Sequence, residues 1–452
     1  MSEAPLLCWV RRGHRPSCSS AGSVVGVALV TLGGAAVLLN AYADRLRRWA
    51  EGGGGGGARL RPEPEGGAEG AVATLHFPED GAVLGLTAEG LALARAAGVR
   101  EVGEGAPDRV EGARRAPEEV HLAVTERCPV ACTGCYLSAG PDREGADPND
   151  IFDELERLAA LGVAEVAFGG GEALLRADLL ALGQRARALG MVPNLTTSGF
   201  GLGPAEAAAL APVFGQINVS IDGIGPIYRA VRGWGGSSLG LQAIAALAAA
   251  GARVGVNTVM SGPLLATDDA LEALGRAIAG AGALEWQWLR FKPAGRGAGA
   301  WAALAPAPDL LDQLWPRLLQ AEAALGLVMR WDCALLPFLV DHAVEPAALS
   351  ALGVRGCTGG ADLWARDAAG GWGPCSFAGG GPTAGDALGH RWAADPRLRA
   401  WRGRAAAPPA PCDSCAIQSA CRGGCRVVAG ALLGDELAPD PECPRVRRAA
   451  GV

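Results

Sequence analysis

The sequence predicts an α/β fold, in which a partial barrel of six strand–helix units is followed by a cysteine-rich domain. Apolar, strand-like stretches alternate six times with amphipathic helical stretches between residues 120 and 290. Cysteines accumulate beyond residue 330, and an uncharged stretch at residues 21–43 precedes both regions. Because six units are too few to close an eight-stranded barrel, we expect an open, TIM-like (β/α)6 barrel with a hydrophobic helix ahead of it.

Composition limits the classes of function. The chain has 452 residues and a net charge of −7, which predicts two or three domains and argues against a nucleic-acid-binding surface. Many of its 13 cysteines lie two, three or five residues apart, a pattern typical of metal sites in a reducing compartment. The five histidines are scattered, so neither histidine-based catalysis nor a histidine-rich metal site is expected.

The N-terminal segment, residues 1–50, contains the uncharged stretch 21–43. That stretch is long enough to cross a bilayer, since a spanning helix needs about 20 residues. Arginines flank it on both sides, so the charge distribution does not orient it. We expect an uncleaved signal anchor, because the stretch is too long for a cleaved signal peptide. The alternative is a glycine- and alanine-rich segment outside the membrane, a fused peptide region that holds Cys8 and Cys18. Neither cysteine is expected to bind metal.

Two short regions separate this segment from the barrel. Residues 51–71 are rich in glycine, proline and glutamate, which predicts a flexible linker. Residues 72–117 predict a small strand–turn–helix unit, from the stretches ATLHF, GAVLGL and AEGLALARAAG. This unit lacks a diagnostic motif, so a packing extension is favoured over a reduced peptide-binding module.

Residues 118–300 carry the regular alternation of the barrel. The expected strands are 120–124, 164–168, 191–196, 216–221, 253–259 and 284–290. The expected helices lie near 150–161, 176–189, 204–211, 237–250 and 267–280. Short links between them predict a parallel sheet with right-handed crossovers. Chemistry in such barrels gathers at the carboxyl ends of the strands, and each unusual motif of this region follows a strand.

Three cysteines follow the first strand on one loop: Cys128, Cys132 and Cys135. They are too close for a comfortable disulfide, but three thiolates on a tight loop can bind one metal centre. A four-iron cubane held by three ligands keeps one iron open for a small molecule. A zinc loop or three unrelated thiols would also fit three cysteines. The Cx3Cx2C spacing followed by the aromatic Tyr136 resembles the cluster loop of the radical SAM superfamily, whose open iron binds S-adenosylmethionine.

The resemblance implies a cosubstrate site at the strand ends. The stretch from Gly169 to Glu172 is similar to the family's GGE motif, which binds the methionyl amino group. In peptide-modifying members, a serine and an arginine spaced like Ser220 and Arg232 contact the ribose and the carboxylate, and a guanidinium suits that carboxylate. Asp222 also fits a simple turn, and Asn257 is a weaker candidate. The residues placed at the cosubstrate in this way are Tyr136, beside the adenine, and Gly169, Gly170, Gly171, Glu172, Thr196, Ser198, Ser220, Asp222 and Arg232.

Lys292 is the only lysine in a chain whose other basic residues are arginines. Its persistence suggests that a compact ammonium group is needed at this position. We expect Lys292 and Arg296, which follow the sixth strand, to face the mouth of the active site or an anionic cluster. A basic surface turn is the alternative.

Residues 301–452 resemble the seven-cysteine SPASM domain, including a glycine, Gly370, five residues before the second cysteine. A zinc ribbon would explain only the Cx2C part. SPASM domains usually hold two auxiliary [4Fe-4S] clusters. The resemblance assigns one cluster to Cys412, Cys415, Cys421 and Cys443, and the other to Cys357, Cys375 and Cys425. The latter cluster needs a fourth ligand or an open iron. We expect Cys333 to be that ligand, with Asp332 as the alternative.

The resemblance implies an enzyme that reductively cleaves S-adenosylmethionine to a 5′-deoxyadenosyl radical, which then abstracts hydrogen from a peptide or protein. A maturase of a ribosomally synthesised peptide is the first hypothesis. The expected partners are that substrate, a flavodoxin- or ferredoxin-type electron donor and, optionally, an accessory peptide-recognition protein. A labile cluster and a cytosolic cosubstrate place the catalytic part in the cytoplasm, anchored to the membrane by residues 21–43.

Three alternatives stay open at this point. One is a formylglycine-forming sulfatase maturase, although that family has an aspartate where this chain has Ser376. Another is a small-molecule dehydrogenase with a SPASM-like tail. The third, from a different class, is a membrane-tethered iron–sulfur electron carrier, which would need no cosubstrate pocket.

Overall fold

The computed structural model describes residues 7–11, 45–52, 57–63, 72–79, 82–143, 148–346, 349, 354–381 and 387–451. The described strands form two sheets, one of five strands and one of nine. The hydrophobic stretch 21–43 and Cys18 lie outside the described residues. Among the helices that are described, none combines the length and the apolar character needed to cross a membrane.

The five-stranded sheet contains the strand–turn–helix unit expected at residues 72–117. Its strands lie in the order β1-β4-β3-β2-β5, with bounds Leu7–Arg11 (β1), Arg59–Pro62 (β2), Ala73–Phe77 (β3), Ala82–Leu86 (β4) and Arg100–Glu101 (β5). Strands β3 and β4 are antiparallel, and a helix over Ala88–Ala96 follows them. A helix over residues 45–52 packs Leu46 and Trp49 into the core of this sheet.

Residues 51–71 were expected to form a flexible linker, but β2 within them is a paired strand. Leu60 is completely buried in it. Arg61 is also buried, and its guanidinium donates to the carbonyl oxygens of Pro117 (3.3 Å) and Gly162 (3.0 Å) and to the Glu63 carboxylate (2.9 Å). The polar composition hid a strand because its arginine pairs with a nearby carboxylate and with distant backbone groups.

The nine-stranded sheet forms the barrel, in the order β12-β11-β10-β9-β8-β7-β6-β13-β14. The six expected strands are present, and they are parallel to their neighbours. Their bounds are Glu119–Thr125 (β6), Glu165–Gly170 (β7), Val192–Thr197 (β8), Ile217–Ser220 (β9), Val254–Met260 (β10) and Glu285–Arg290 (β11).

Three further strands extend this sheet beyond the expected barrel boundary at residue 300. Val328–Trp331 (β12) pairs parallel to β11, and Leu363–Arg366 (β13) pairs parallel to β6 at the opposite edge. Trp372–Gly373 (β14) pairs antiparallel to β13. These strands have two to four residues each, too few to give a periodic signal in the sequence.

The helices that cover the barrel match the expected positions closely. They lie at Pro148–Leu161, Leu179–Ala188, Pro204–Leu210, Ser237–Ala249 and Asp268–Gly280, with a short helix at Pro226–Arg232. Later helices lie at Gly262–Leu265, Arg296–Gly299, Trp301–Leu304, Pro308–Asp312, Leu314–Leu325, Leu388–Ala394, Pro396–Ala406, Gln418–Cys421, Arg426–Leu433 and Pro444–Ala449.

Alternation along the strands separates a dry outer layer from a polar interior. In β6 the side chains of Val120, Leu122 and Val124 are fully buried and belong to the main hydrophobic core, whereas Glu119 and His121 line a cavity. The two faces of a strand point in opposite directions, so the apolar set packs under the helices and the polar set faces inward. The barrel therefore encloses a chamber whose wall carries polar side chains from this strand.

Candidate active site

A cavity of about 660 Å³ occupies the barrel and is the candidate active site. Its walls include the three cysteines of the first loop and the ends of the barrel strands. Four cysteines from beyond residue 330 also reach it. The sequence-predicted site residues that line it are Cys128, Cys132, Cys135, Tyr136, Gly169, Gly170, Gly171, Glu172, Thr196, Ser198, Ser220, Asp222, Arg232, Cys333, Cys357, Cys375 and Cys425.

The loop that carries the first three cysteines is held by backbone hydrogen bonds. The Cys128 amide donates to the carbonyl of Gly140 (2.9 Å), which closes the loop. Arg296 donates from Nε to the Cys132 carbonyl (2.9 Å) and from Nη2 to the Ala139 carbonyl (2.6 Å). Arg296 therefore fixes the shape of this loop by binding its carbonyl groups, which the sequence did not predict.

The glycines after β7 allow the sheet to approach this loop closely. Gly170 has a φ of +112°, and a Cβ there would lie 2.3 Å from the Thr125 carbonyl oxygen. A Cβ at Gly171 would lie 2.3 Å from the carbonyl oxygen of Arg127. Any side chain at either position would push the strand end away from the cysteine loop, so glycine is required by packing as well as by any ligand.

Glu172 joins two of the predicted motifs. Its carboxylate is buried and accepts hydrogen bonds from Thr197 Oγ1 (2.7 Å), the Ser198 amide (2.8 Å) and Ser198 Oγ (2.5 Å). The end of β8 is thus tied to the end of β7 through one carboxylate. Hydrogen bonds to an ionised acceptor are among the stronger ones, so this junction is rigid. The contact between Glu172 and a methionyl amine stays a prediction.

Arg232 is oriented by Asp222. Its Nε donates to Asp222 Oδ2 (2.5 Å), and Asp222 Oδ1 accepts from the Val259 amide (2.8 Å). Burial alone would lower the pKa of Arg232, but the charges of Asp222 and Cys132 outweigh it and raise that pKa. The guanidinium therefore stays charged beside the cysteine loop. Asp222, proposed from the sequence as a ligand contact, acts here on the arginine.

The other strand-end residues form a polar row across the sheet. Ser220 pairs with Asn257, which pairs with Gln287 on the next strand. All three line the cavity, as does Thr196. The Asn257 Oδ1 atom is buried and accepts no hydrogen bond from the residues that the structure describes. An unsatisfied buried acceptor is costly, so this position favours a ligand with a hydroxyl or N–H donor.

Tyr136 connects the first loop to the C-terminal domain. Its ring packs on Phe377 with 4.3 Å between the two ring centroids. The Nζ atom of Lys292 also lies 4.3 Å from the centroid of the Phe377 ring. Burial raises the pKa of Tyr136, with added contributions from Cys135 and Cys375. The expected contact between Tyr136 and the adenine stays a prediction, since the ring is engaged with Phe377.

Lys292 lies at the expected anionic site. Its Nζ binds Asp332 Oδ2 at 2.5 Å, and both side chains are buried. Asp332 Oδ2 also accepts from the Arg290 amide (3.0 Å), and its Oδ1 accepts from the Ala334 amide (3.3 Å). Because its oxygens are already engaged, Asp332 is poorly placed as a metal ligand, which favours the neighbouring Cys333.

Four cysteines line the same cavity as this ion pair. Burial is the main cause that raises the pKa of Cys333 well above its ordinary value, and nearby Asp332, Cys357 and Cys425 add to it. Burial likewise raises the pKa of Cys375 to about 12, with Cys357 and Cys425 as further causes. Cys333, Cys357, Cys375 and Cys425 are thus electrostatic neighbours on the wall of the main cavity.

The remaining four cysteines surround a second, small cavity. This cavity is lined by Cys412, Cys415, Cys421 and Cys443, with apolar side chains such as Ile417 beside them. Burial is again the main cause that raises the pKa of Cys421, and Cys443 adds to it. The eight C-terminal cysteines therefore divide between two cavities into the same two groups that the resemblance implied.

The donor set fits iron–sulfur clusters. None of the eleven cysteines whose side chains are described forms a disulfide. Within the described residues, no three His, Cys, Asp or Glu side chains come close enough to hold a single metal ion. Grouped buried thiols repel one another when ionised, and cationic iron supplies the missing positive charge. The first loop offers three thiols, and each later group offers four.

Sequence analysis missed a hydrogen-bonded group of three polar residues. His121 Nδ1 lies 2.7 Å from Ser376 Oγ, and His121 Nε2 lies 3.0 Å from Glu119 Oε1. The three residues line the main cavity. The signal was present in β6, where charged and polar residues alternate with buried aliphatic ones, but Ser376 is 255 residues away in sequence.

Comparisons with known proteins agree with this site. Residues 122–277 match the radical SAM superfamily. Mycofactocin maturase MftC of Mycobacterium tuberculosis (strain CDC 1551 / Oshkosh) is 29% identical over 335 residues, which cover 71% of this chain and 81% of MftC. The PqqA peptide cyclase of Ruegeria pomeroyi is 31% identical over 343 residues, which cover 73% of this chain and 88% of the cyclase.

The fold is also shared with solved structures. Streptococcus suis SuiB bound to S-adenosylmethionine matches with a TM-score of 0.57 and 17% identity, and the match covers 74% of this chain and 78% of SuiB. The expected partial barrel is therefore confirmed, together with the cysteine-rich region that follows it. The motif spacing, the fold and the similarity over most of both chains lead to one assignment. The chain is an enzyme of the radical SAM superfamily.

Proposed function

We propose that this enzyme is a maturase of a ribosomally synthesised peptide, which it oxidises or cross-links after hydrogen abstraction. The observation that carries the proposal is the single cavity that brings the three-cysteine loop, the polar strand ends and four C-terminal cysteines together. The names of the similar proteins support a peptide substrate, since one is a mycofactocin maturase and another a PqqA peptide cyclase.

In this proposal, Cys128, Cys132 and Cys135 hold a [4Fe-4S] cluster that binds S-adenosylmethionine and supplies a 5′-deoxyadenosyl radical from it. Arg232, charged and braced by Asp222, binds the cosubstrate carboxylate. Ser220 and Asn257 lie opposite each other on neighbouring strands, and together they offer a hydroxyl and an amide group to the ribose. The other residues expected around the cosubstrate are Tyr136, Gly169, Gly170, Gly171, Glu172, Thr196 and Ser198.

Two auxiliary clusters complete the proposal. The group that lines the main cavity, Cys333, Cys357, Cys375 and Cys425, would hold one cluster beside the substrate. The group Cys412, Cys415, Cys421 and Cys443 would hold the other one. Iron–sulfur clusters with four thiolate ligands are suited to electron transfer, so clusters held by these groups would supply acceptors for the electron that the peptide radical loses.

The remaining parts of the proposal rest on the sequence. A flavodoxin- or ferredoxin-type protein delivers the reducing electron, and an accessory protein is an additional candidate for peptide recognition. Residues 21–43 anchor the enzyme to the membrane with its catalytic part in the cytoplasm. The division into residues 1–50, 51–71, 72–117, 118–300 and 301–452 is retained as a description of domains. Strand β2 of the second region pairs with the sheet of the third, and β12–β14 of the last region extend the barrel sheet.

The first experiment measures 5′-deoxyadenosine release from the reconstituted full chain with S-adenosylmethionine and dithionite. Release from the wild type and none from Cys132→Ala is expected. No release from fully reconstituted wild-type protein would contradict radical SAM chemistry and favour an electron carrier.

The second experiment tests the substrate class. The enzyme is co-expressed with the peptide encoded by a short open reading frame beside its gene, and the peptide is analysed by mass spectrometry. Loss of hydrogens in steps of about 2 Da, or another defined mass change, is expected only with active enzyme. An unchanged peptide mass beside normal 5′-deoxyadenosine release would reject that peptide as the substrate.

A further inference from the structure

Glu119, His121 and Ser376 form a hydrogen-bonded chain on the wall of the reaction cavity. Glu119 and His121 lie on the same face of β6, and Ser376 directly follows Cys375. The imidazole joins them, with Nε2 3.0 Å from Glu119 Oε1 and Nδ1 2.7 Å from Ser376 Oγ. The His121 side chain is 36% exposed, so it faces the cavity and is not a packed core residue.

The chemistry of these groups fixes the direction of the hydrogen bonds. An ionised glutamate only accepts, so the proton of the neutral imidazole lies on Nε2. Nδ1 then carries a lone pair, and the Ser376 hydroxyl donates to it. A base oriented by a carboxylate and bonded to a hydroxyl is the arrangement that makes a hydroxyl group accept protons or attack substrates.

We infer that Glu119, His121 and Ser376 form a proton-accepting relay for the peptide substrate. The inference rests on the proposed maturase function. Ser376 Oγ takes a proton from the peptide as its own proton passes to His121 Nδ1, and Glu119 stabilises the imidazolium that results. His121, which composition had set aside, becomes the base of the reaction.

The relay balances the oxidation. The 5′-deoxyadenosyl radical takes one hydrogen atom from a peptide C–H bond and becomes 5′-deoxyadenosine. The peptide radical that remains becomes a closed-shell product when it loses one electron and one proton. The electron goes to a one-electron acceptor of the iron–sulfur class, and the proton goes to His121 through Ser376. Cys375, next to Ser376 in sequence, is a proposed ligand of such an acceptor.

A purely structural role for these bonds is the competing explanation. The loop after Cys375 already has other attachments, since the Ala378 amide donates to the Cys375 carbonyl (3.1 Å) and Arg397 donates to the Ala378 carbonyl (2.8 Å). Because that loop is held by other bonds, it does not need the His121–Ser376 hydrogen bond, which lies on the cavity wall where a substrate can reach it.

The first test is the tautomer of His121, measured by nitrogen NMR on the oxidised, reconstituted full chain with 15N-histidine. The chain has five histidines, and His121→Gln identifies the signal. The Nε2–H tautomer is expected, with a Nδ1 shift that changes in Ser376→Ala. A Nδ1–H tautomer would overturn the relay, because the nitrogen that faces Ser376 would then be a donor.

The second test separates proton transfer from binding, with the peptide identified by co-expression as the probe. In His121→Gln and Ser376→Ala, we expect the rate of product formation to fall about 10²- to 10⁴-fold while the peptide Kd stays within about twofold of the wild type. Ser376→Asp, alone or combined with His121→Gln, should recover product because a carboxylate replaces the relay.

The outcomes distinguish the relay from the function on which it rests. Absence of 5′-deoxyadenosine release or of peptide modification in the wild type would reject the proposed function. The relay alone would be rejected if His121→Gln formed product at the wild-type rate. It would also be rejected if the loss of product formation were matched by an equal weakening of peptide binding and were not recovered by Ser376→Asp.

Discussion

Lys292 offers the sharpest test of how the C-terminal domain is attached to the barrel. Its ammonium group binds Asp332 at 2.5 Å, with the two side chains 5% and 9% exposed. Burial alone would lower the pKa of Lys292, but the charge of Asp332 outweighs it and raises that pKa, so the pair is ionised at neutral pH. Lys292→Met keeps the aliphatic stem and removes the charge.

The expected cost follows from what Asp332 would retain. Removal of one partner from a buried ion pair costs about 3–5 kcal/mol. Asp332 keeps hydrogen bonds from the Arg290 and Ala334 amides, so the lower end, about 3 kcal/mol, is expected for Lys292→Met. Asp332→Asn leaves the lysine unpaired and should cost a similar amount. The double variant should be more stable than the sum predicts by about 1–3 kcal/mol.

Urea unfolding of the reconstituted protein under anaerobic conditions, followed by tryptophan fluorescence, measures these free energies. Lys292→Arg is the matched control, since it preserves the charge in a site bounded by Phe377 at 4.3 Å. Overpacking there should cost about 1–3 kcal/mol and lower 5′-deoxyadenosine release. The buried pair would be refuted if the free energy of unfolding of Lys292→Met lay within about 1 kcal/mol of the wild-type value. It would also be refuted if the effects of the two single variants simply added in the double variant. Unchanged activity of Lys292→Arg would show that no compact ammonium is required.

Three further predictions concern the cosubstrate turn, the floor of the barrel and the second cysteine group. Gly171→Ala should abolish 5′-deoxyadenosine release because its Cβ would lie 2.3 Å from a carbonyl oxygen, whereas Gly299→Ala, with no atom within 4 Å, should keep it. Arg330 and Arg253 outweigh burial and lower the pKa of Glu285 from 4.5 to about 2. The ionised Glu285 therefore stabilises the folded protein above a pH of about 4.3, and this contribution is lost as the pH falls towards 2. Glu285→Gln should lower the free energy of unfolding by about 3 kcal/mol at neutral pH but by little at pH 2. Urea unfolding of cluster-free protein measures both values. Cys412→Ala should lower the iron content from about 12 to about 8 per chain, and an unchanged content would contradict its role as a ligand.

The sequence predicted the barrel well because each unit carries its own periodic signal. The strand expected at 191–196 lies at Val192–Thr197, and the helix expected at 237–250 lies at Ser237–Ala249. The strands that were missed, such as Val328–Trp331, are short and gain their stability from pairing with the edge of an existing sheet. Local pattern cannot reveal such strands, because the partner is distant in sequence.

The candidate site was predictable where chemistry is concentrated in a motif. The cysteine spacings and GGGE identified the loops, and the loops line common cavities. The support behind them was not predictable. Arg296 was expected at the mouth of the active site or at an anionic cluster, and it binds the carbonyl groups of the cysteine loop. Glu172 was expected at an amine but also holds Thr197 and Ser198. These roles depend on which backbone atoms the fold brings near, and no spacing encodes that.

The two C-terminal cysteine groups line different cavities. The group with Cys425 lies on the wall of the reaction cavity, whereas the group with Cys412 lines the small one. Under the proposed function, the first group would therefore receive an electron from a substrate before the second.

Asp440 interacts with cysteines of both groups. It accepts a hydrogen bond from the Cys425 amide (2.8 Å), and its charge also helps to raise the pKa of Cys421 and Cys443, after burial as the main cause for each. Arg290, at the end of β11, binds both oxygens of Asp440 at 2.5 and 3.0 Å. A bidentate pair buried to 1% exposure at both partners holds its geometry rigidly. The barrel strand whose side chains line the cavity therefore also holds Asp440, which is 150 positions from Arg290 in sequence and interacts with cysteines of both groups.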